Sequence, residues 1–255
     1  MADNFMIPFS RPRFCLGMLV LMIATLIFFR LVPGADIAVS RAFFEPSDCS
    51  PSETEKLVCG YFATGADSVL KVFRWVLQIL PAIAAGILLL WAAYRFFRHR
   101  DLDRLAVVSI AIAFATLILS PLVIVNGIFK EFWGRPRPYM VDLFGGDVPF
   151  IRAGTISDLC NSNCSFISGE AAGAFWLICL VSFVPKADRT VVFVALLTIA
   201  TAASLLRVAF GSHFLSDVVL GGAMTVTVFS VLALVATYWV RRFPSVSDEG
   251  GRIHR

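Results

Sequence analysis

The sequence predicts an all-α membrane protein built as a six-transmembrane helix bundle. Three observations carry that prediction. Of the 255 residues, 58% are hydrophobic and 16% charged, with a mean hydropathy of +0.80, which excludes a disordered chain, a coiled coil and an ordinary water-soluble globule. Apolar runs close to the ~20 residues that cross a bilayer recur along the chain. Lysine and arginine gather in alternate connections between those runs, the pattern that fixes orientation in a membrane. The runs fill most of the sequence and leave no stretch for a separate soluble domain, so residues 1–255 read as a single membrane domain.

The first run extends from about Phe14 to Leu31 and follows Arg11 and Arg13. It resembles a signal peptide, but a cut after Ala35 would place Pro33 three residues before the cut, so it reads as an uncleaved anchor. An outer loop of about residues 32–71 follows, rich in acids: Asp36, Glu45, Asp48, Glu53, Glu55 and Asp67. The second run spans about Val72 to Phe97 and the third about Leu105 to Ile128, with Arg95, Arg98, Arg100 and Arg104 in the turn between them. A second outer loop covers about Phe129 to Ser165. The fourth run goes from about Phe166 to Val184, and Lys186 and Arg189 connect it to the fifth, about Thr190 to Phe210. The sixth covers about Phe214 to Val240 and is followed by Arg241 and Arg242. The fifth and sixth are continuous in hydropathy, and the break is placed at Gly211-Ser212. The tail after Arg242 reads as a flexible end. With six crossings the basic connections share one side, which puts both termini in the cytoplasm. Trp75 and Trp133 near outer ends, and Trp91, Tyr94, Tyr238 and Trp239 near inner ends, form two interfacial belts, while Trp176 falls mid-span and is read as helix packing.

Cysteines give an independent reading of sidedness. Cys49 and Cys59 lie in the first outer loop and Cys160 and Cys164 in the second, and none lies in an inner connection. An oxidising compartment favours disulfides, so pairs Cys49–Cys59 and Cys160–Cys164 are expected, although four thiols also permit two other pairings. Cys15 and Cys179 sit in apolar runs as packing residues. There is no Gly-rich phosphate loop, no nucleic-acid module, and no histidine or cysteine cluster that calls for a metal or other cofactor.

The outer loop carrying Lys130, Arg135, Arg137 and Arg152 breaks the charge bias and needs its own reason. Ionisable residues inside apolar spans are costly and mark function by default. From Thr190 to Val240 the ionisable side chains are Arg207, His213 and Asp217; the fourth run holds Glu170; and Lys130 stands just past the third. The predicted topology brings all of them to the outer membrane face. His213 and Asp217 are four apart, so at helical spacing Asp217 would accept a hydrogen bond from Nδ1–H of His213 and leave Nε2 free as a nucleophile. The blander reading makes Asp217 a packing partner of Arg207. Lys130, Arg137 and Arg207, with the helix start at Ser168-Gly169, make a site for a doubly charged phosphate group. Arg135 is read instead as reaching lipid head groups.

Two strings of residues resemble the type 2 phosphatidic acid phosphatase (PAP2) superfamily, whose membrane members are six-span lipid phosphatases. Its first motif, Lys-x6-Arg-Pro, matches Lys130 through Arg137 and Pro138. Its third, Arg-x5-His-x3-Asp, matches Arg207, His213 and Asp217. The resemblance covers the third to sixth spans, with a catalytic core of about residues 105–240. It implies that His213 attacks phosphorus to form a phosphohistidine, that Asp217 orients it, and that Lys130, Arg137, Arg207, Ser168 and the Gly169 backbone hold the phosphoryl oxygens without metal. It also implies vanadate sensitivity. Two positions depart from the pattern. Leu206 replaces a serine before the third motif, and Ile167-Ser168-Gly169-Glu170 replaces Pro-Ser-Gly-His in the second. The missing histidine would protonate the leaving oxygen, and Glu170 is the expected substitute as general acid–base.

The string from Cys164 to Glu170 is similar to the variant second motif of the lipid A 4'-phosphatase branch. The resemblance therefore implies removal of a phosphate from lipid A, in the outer leaflet of a bacterial inner membrane, at a site facing the periplasm. Undecaprenyl pyrophosphate, phosphatidylglycerophosphate and phosphatidic acid are alternative substrates. A rival class is a lipid-phosphate binding or transport protein that lost catalysis when the histidine became Glu170. Oligomeric state is not legible in the sequence.

Overall fold

The computed structural model describes residues 6–50, 56, 58–99 and 104–242. Glu53, Glu55, Arg100 and the tail after Arg242 lie outside them. Helix α1 (Pro12–Leu31) opens on a proline, whose missing N–H has no intrahelical partner to lose at a first turn. A short helix, α2 (Gly34–Arg41), buries Asp36 and Ser40. Strands β1 (Phe44–Ser47) and β2 (Cys59–Phe62) pair antiparallel, with Phe44 opposite Phe62 and Ser47 opposite Cys59. The Cys49–Cys59 disulfide ties this hairpin and Cys160–Cys164 closes a tight loop, as expected from the sequence.

Helix α3 (Ser68–Tyr94) is capped by Asp67, which accepts from the N–H groups of Val69 and Leu70 at 2.7 and 2.9 Å. Helix α4 (Arg104–Leu117) continues as a wider, π-type segment (Ile118–Phe129) around Pro121 and ends at Lys130–Phe132. Helix α5 (Gly169–Cys179) runs on as a 3-10 turn (Leu180–Phe183). Helices α6 (Arg189–Ala209) and α7 (Leu215–Arg242) complete the bundle. The break between them falls where expected: Gly211 has φ +64°, and a Cβ there would strike the Phe62 ring.

Among the described residues, five helices are long and apolar enough to cross a membrane, and the fourth expected span is a shorter helix, Gly169–Phe183. At 1.5 Å per residue it covers about 22 Å, against about 30 Å of hydrocarbon. It can be short because α5 packs against α3, α4, α6 and α7, so protein rather than lipid surrounds its ends. Its approach to α7 is close: a Cβ on Gly221 would lie 2.5 Å from the Ser168 carbonyl oxygen. Buried hydroxyls join the same helices, with Ser120 Oγ 2.7 Å from Thr225 Oγ1, which donates to the Ala172 carbonyl at 3.0 Å. Trp176 is fully buried and donates from Nε1 to the Ala113 carbonyl at 2.7 Å, so it packs helices as expected. Trp75, Trp91, Tyr94, Tyr238 and Trp239 are exposed. Trp133 is half-buried and stacks on Phe166 with ring centroids 5.5 Å apart.

The bundle has two distinct ends. Toward one, Phe9 packs on Phe229, and its carbonyl accepts from Ser230 Oγ at 2.6 Å, just past the middle of α7. The other collects α2, the β-hairpin, both disulfides and residues 133–168. There Phe44, Phe62, Phe144 and Phe214 form an aromatic cluster beneath the turn that carries His213.

Candidate active site

Three segments converge at the loop-rich end: the end of α4 with the turn after it, residues 163–170 leading into α5, and residues 207–217 joining α6 to α7. Ser168 caps α5, its Oγ accepting from Ala171 N–H at 3.3 Å, and its own N–H donates to the Asp217 carbonyl at 3.0 Å. Gly169 is pinned as well, since a Cβ there would lie 2.6 Å from Asn126 Oδ1. The helix start is thus locked to α7 and α4 at once.

His213 is buried, and its Nδ1 lies 2.8 Å from the Ser165 carbonyl oxygen. A carbonyl only accepts, so Nδ1 carries the proton and Nε2 presents a lone pair. Burial, together with the charges of Arg207, Arg137 and Lys130, pushes the imidazole pKa well below 6.5, outweighing the opposite pull of the Ser165 carbonyl. The ring is therefore neutral, as a nucleophile must be.

Asp217 does not hold the ring directly, contrary to the expectation from spacing. Its Oδ2 lies 4.0 Å from His213 Nδ1, beyond hydrogen-bond range. His213 precedes the first turn of α7, so the i,i+4 rule of a regular helix does not apply. Asp217 instead turns back on the chain: Oδ2 accepts from Ser165 Oγ at 2.6 Å and from Phe214 N–H at 2.9 Å. It thereby fixes both the residue whose carbonyl orients the imidazole and the backbone next to the imidazole.

Arg135 is also not at the head groups, where its place in an outer loop suggested. It is fully buried. One guanidinium nitrogen donates to Asp217 Oδ1 at 2.7 Å and to Ser216 Oγ at 2.8 Å, the other to Asp36 Oδ2 at 2.8 Å, and Nε donates to the Ile151 carbonyl at 2.9 Å. Its plane lies over the Phe214 ring, 4.4 Å from the centroid. Burial disfavours the guanidinium charge, but Asp217 and Asp36 more than restore it and hold the pKa above the ordinary value. Asp36 completes the cluster by accepting from Ser216 N–H at 2.8 Å and Ser216 Oγ at 2.6 Å.

The remaining cations surround the imidazole. Arg137 donates to the Asn163 carbonyl at 2.7 and 3.1 Å and to Asn163 Oδ1 at 2.9 Å, and Lys130 Nζ reaches the same Oδ1 at 3.4 Å. Arg207 is buried, with 5% exposure, and its Nε has no hydrogen-bond partner among the described residues. That Nε lies 3.4 Å from Glu170 Oε1. Glu170 is further held by Arg74 of α3, whose Nε donates to Oε2 at 3.1 Å and whose terminal nitrogen closes on Oε1. Among the described residues, no three His, Cys, Asp or Glu side chains gather as metal ligands.

The structure therefore brings His213, Asp217, Lys130, Arg137, Arg207, Ser168, Gly169 and Glu170 into one region. Sequence reasoning missed Asp36, Arg74, Asn163, Ser165 and Ser216. Only Arg74 carried a usable signal, as an arginine inside an apolar run; Asp36 and Ser216 at helix starts and Asn163 and Ser165 in a loop are ordinary polar residues until the fold gives them partners.

This arrangement can hold an anion of high charge against a neutral imidazole nitrogen, and similarity to known proteins agrees with it. The chain is 39% identical over 211 residues to a lipid A 4'-phosphatase of Rhizobium leguminosarum, covering 82% of this chain and 90% of that one. It is 36% identical over 230 residues to a lipid A 4'-phosphatase of Rhizobium etli, covering 87% and 88%. A third relative, the lipid A 4'-phosphatase of Francisella tularensis subsp. novicida, is 32% identical over 216 residues, covering 84% and 90%. The crystal structure of a transmembrane PAP2 type phosphatidylglycerolphosphate phosphatase from Bacillus subtilis shares the fold, with a TM-score of 0.51 at 17% identity over 91% of this chain and 98% of that one. With its membrane-length helices the chain is a multi-pass membrane protein. Residues 105–243, which hold the convergent histidine, aspartate and most of the cations, match the PAP2 superfamily model, and the chain belongs to that superfamily.

Proposed function

We propose that this protein is a membrane lipid phosphatase that hydrolyses a phosphomonoester through a phosphohistidine on His213, with the 4'-phosphate of lipid A as substrate. The observation that carries the reading is a neutral, oriented imidazole facing Lys130, Arg137 and a buried Arg207 whose Nε lacks a hydrogen-bond partner. The lipid identity rests on the relatives named lipid A 4'-phosphatase.

Nε2 of His213 attacks phosphorus in line with the lipid oxygen. The P–O bond to the lipid breaks and its electron pair leaves on that oxygen, which takes a proton. The cations and the α5 start stabilise the charge spread over the phosphoryl oxygens. Water then attacks phosphorus, the P–N bond breaks, and His213 and inorganic phosphate are restored. Glu170 is the acid–base group in this scheme. Its carboxylate oxygens lie between Arg74 and Arg207, where it would give a proton to the leaving oxygen and take one from the attacking water.

The basic connections at one end and the disulfides at the other favour a protein with both termini in the cytoplasm and a periplasmic site in the inner membrane, acting on the outer leaflet. The test is phosphate release by purified protein from lipid A, undecaprenyl pyrophosphate, phosphatidylglycerophosphate and phosphatidic acid, with chelator present and His213→Ala as control. Release from lipid A that is lost in the variant is the expected result. Release from another lipid alone would reassign the substrate, and tight lipid binding without release would make the protein a binder rather than an enzyme.

A further inference from the structure

We propose that Arg74 is a further phosphate-binding residue, which holds Glu170 and passes to the phosphoryl group when substrate binds. Arg74 sits in the second turn of α3, within a helix of membrane-crossing length. A guanidinium there is costly unless it has a purpose at the site it faces. Its fork grips both oxygens of Glu170, and the Gln78 amide oxygen one turn along accepts from it at 3.3 Å. Glu170 Oε1 also lies 3.4 Å from Arg207 Nε, which is buried and has no hydrogen-bond partner among the described residues. A single carboxylate therefore sits between two guanidinium groups, with Arg137 and Lys130 within electrostatic reach.

A phosphoryl dianion carries more charge than that carboxylate and three acceptor oxygens against its two. It is the stronger partner for a planar fork, because arginine meets phosphate with paired, charge-assisted hydrogen bonds. Exchange of partners moves Arg74 from Glu170 to the substrate and frees both Glu170 oxygens from its fork. The bland alternative is that Arg74–Glu170 merely staples α3 to α5. A staple affects stability and leaves phosphate affinity untouched.

This inference rests on the phosphatase reading, and its test separates the two. Binding of inorganic phosphate is measured by calorimetry on the full-length protein in detergent for wild type, Arg74→Gln and Arg74→Lys, with thermal unfolding of each. Lipid turnover is followed in parallel. The expected result is phosphate binding at least tenfold weaker in Arg74→Gln and intermediate in Arg74→Lys, which keeps the charge and loses the fork, with a matching rise in KM for the lipid. Unchanged phosphate affinity in either folded variant overturns the proposal, as does a fall in unfolding temperature with affinity intact. If wild type binds phosphate but releases none from any lipid, the phosphatase reading fails while the assignment of Arg74 still stands or falls on the calorimetry.

Discussion

Replacing Asp36 with alanine tests whether the first loop organises the site from a distance. Asp36 accepts three hydrogen bonds, from Arg135, from Ser216 N–H and from Ser216 Oγ, between 2.6 and 2.8 Å, in a fully buried setting. Alanine removes all three acceptors and leaves the Arg135 guanidinium with Asp217 as its one remaining carboxylate partner in the cluster. Three buried donors lose their acceptor at once, and at about 1–3 kcal/mol for each unsatisfied group the loss is on the order of 3–5 kcal/mol. For a chain of this size, 1 kcal/mol shifts the unfolding temperature by about 2–4 °C, so the variant should melt on the order of 6–20 °C lower. Asp36→Asn, which keeps the shape and one acceptor oxygen, should lose less than half of that. Thermal unfolding in detergent, read by intrinsic tryptophan fluorescence, measures the shift. A drop of under about 2 °C for the alanine variant would refute the idea that the ionic cluster anchors this end of the bundle.

Other expectations follow from the same geometry. The His213 pKa is pushed below the 6.5 of an unfolded histidine, so the folded protein resists protonation that the unfolded chain accepts; the contribution to stability is intact above 6.5 and shrinks as pH falls below it. Wild type should thus lose unfolding temperature relative to His213→Gln between pH 7.5 and 5, and parallel curves would contradict the buried neutral ring. Ser165→Ala removes a hydroxyl from Asp217 but keeps the backbone carbonyl on the imidazole, so kcat should fall only about tenfold, whereas Asp217→Asn, which uncouples Arg135 as well, should cost on the order of a hundredfold or more; steady-state turnover ranks them, and equal losses would show that Asp217 acts through Ser165 alone. Gly221→Ala drives a methyl against the Ser168 carbonyl and should destabilise by about 1–3 kcal/mol with a rise in KM, checked by unfolding and kinetics together.

Hydropathy made the helices legible because lipid demands long apolar runs, and the glycine at 211 marked the α6–α7 break by the backbone freedom a sharp turn needs. The disulfides followed from which loops hold cysteine. What stayed hidden depended on partners far apart in the chain. Arg135 in a loop reads as solvated until Asp36, ninety-nine residues away, and Asp217 are seen to enclose it. The Asp217–His213 spacing suggested direct contact because a helix was assumed where there is a turn. The length of α5 escaped hydropathy because a helix shielded by its neighbours on all sides is not held to bilayer thickness.

The family match begins at residue 105, yet two of the charges at the site come from before it. Asp36 on α2 neutralises Arg135 beneath the histidine turn, and Arg74 on α3 neutralises Glu170 beside Arg207. The second of these bears on the chain's main departure from the superfamily pattern. A histidine at position 170 could sit neutral among cations, but a carboxylate there brings a charge that helix α5 itself does not balance. A compensating cation from α3 lets Glu170 occupy that place without forfeiting the attraction of Lys130, Arg137 and Arg207 for phosphate. On this argument Glu170 and Arg74 are one change made at two positions, so Glu170→His should restore function to Arg74→Gln more fully than it improves the wild-type chain. If the double variant turns over lipid no faster than Arg74→Gln alone, the two residues act independently and the coupling is wrong.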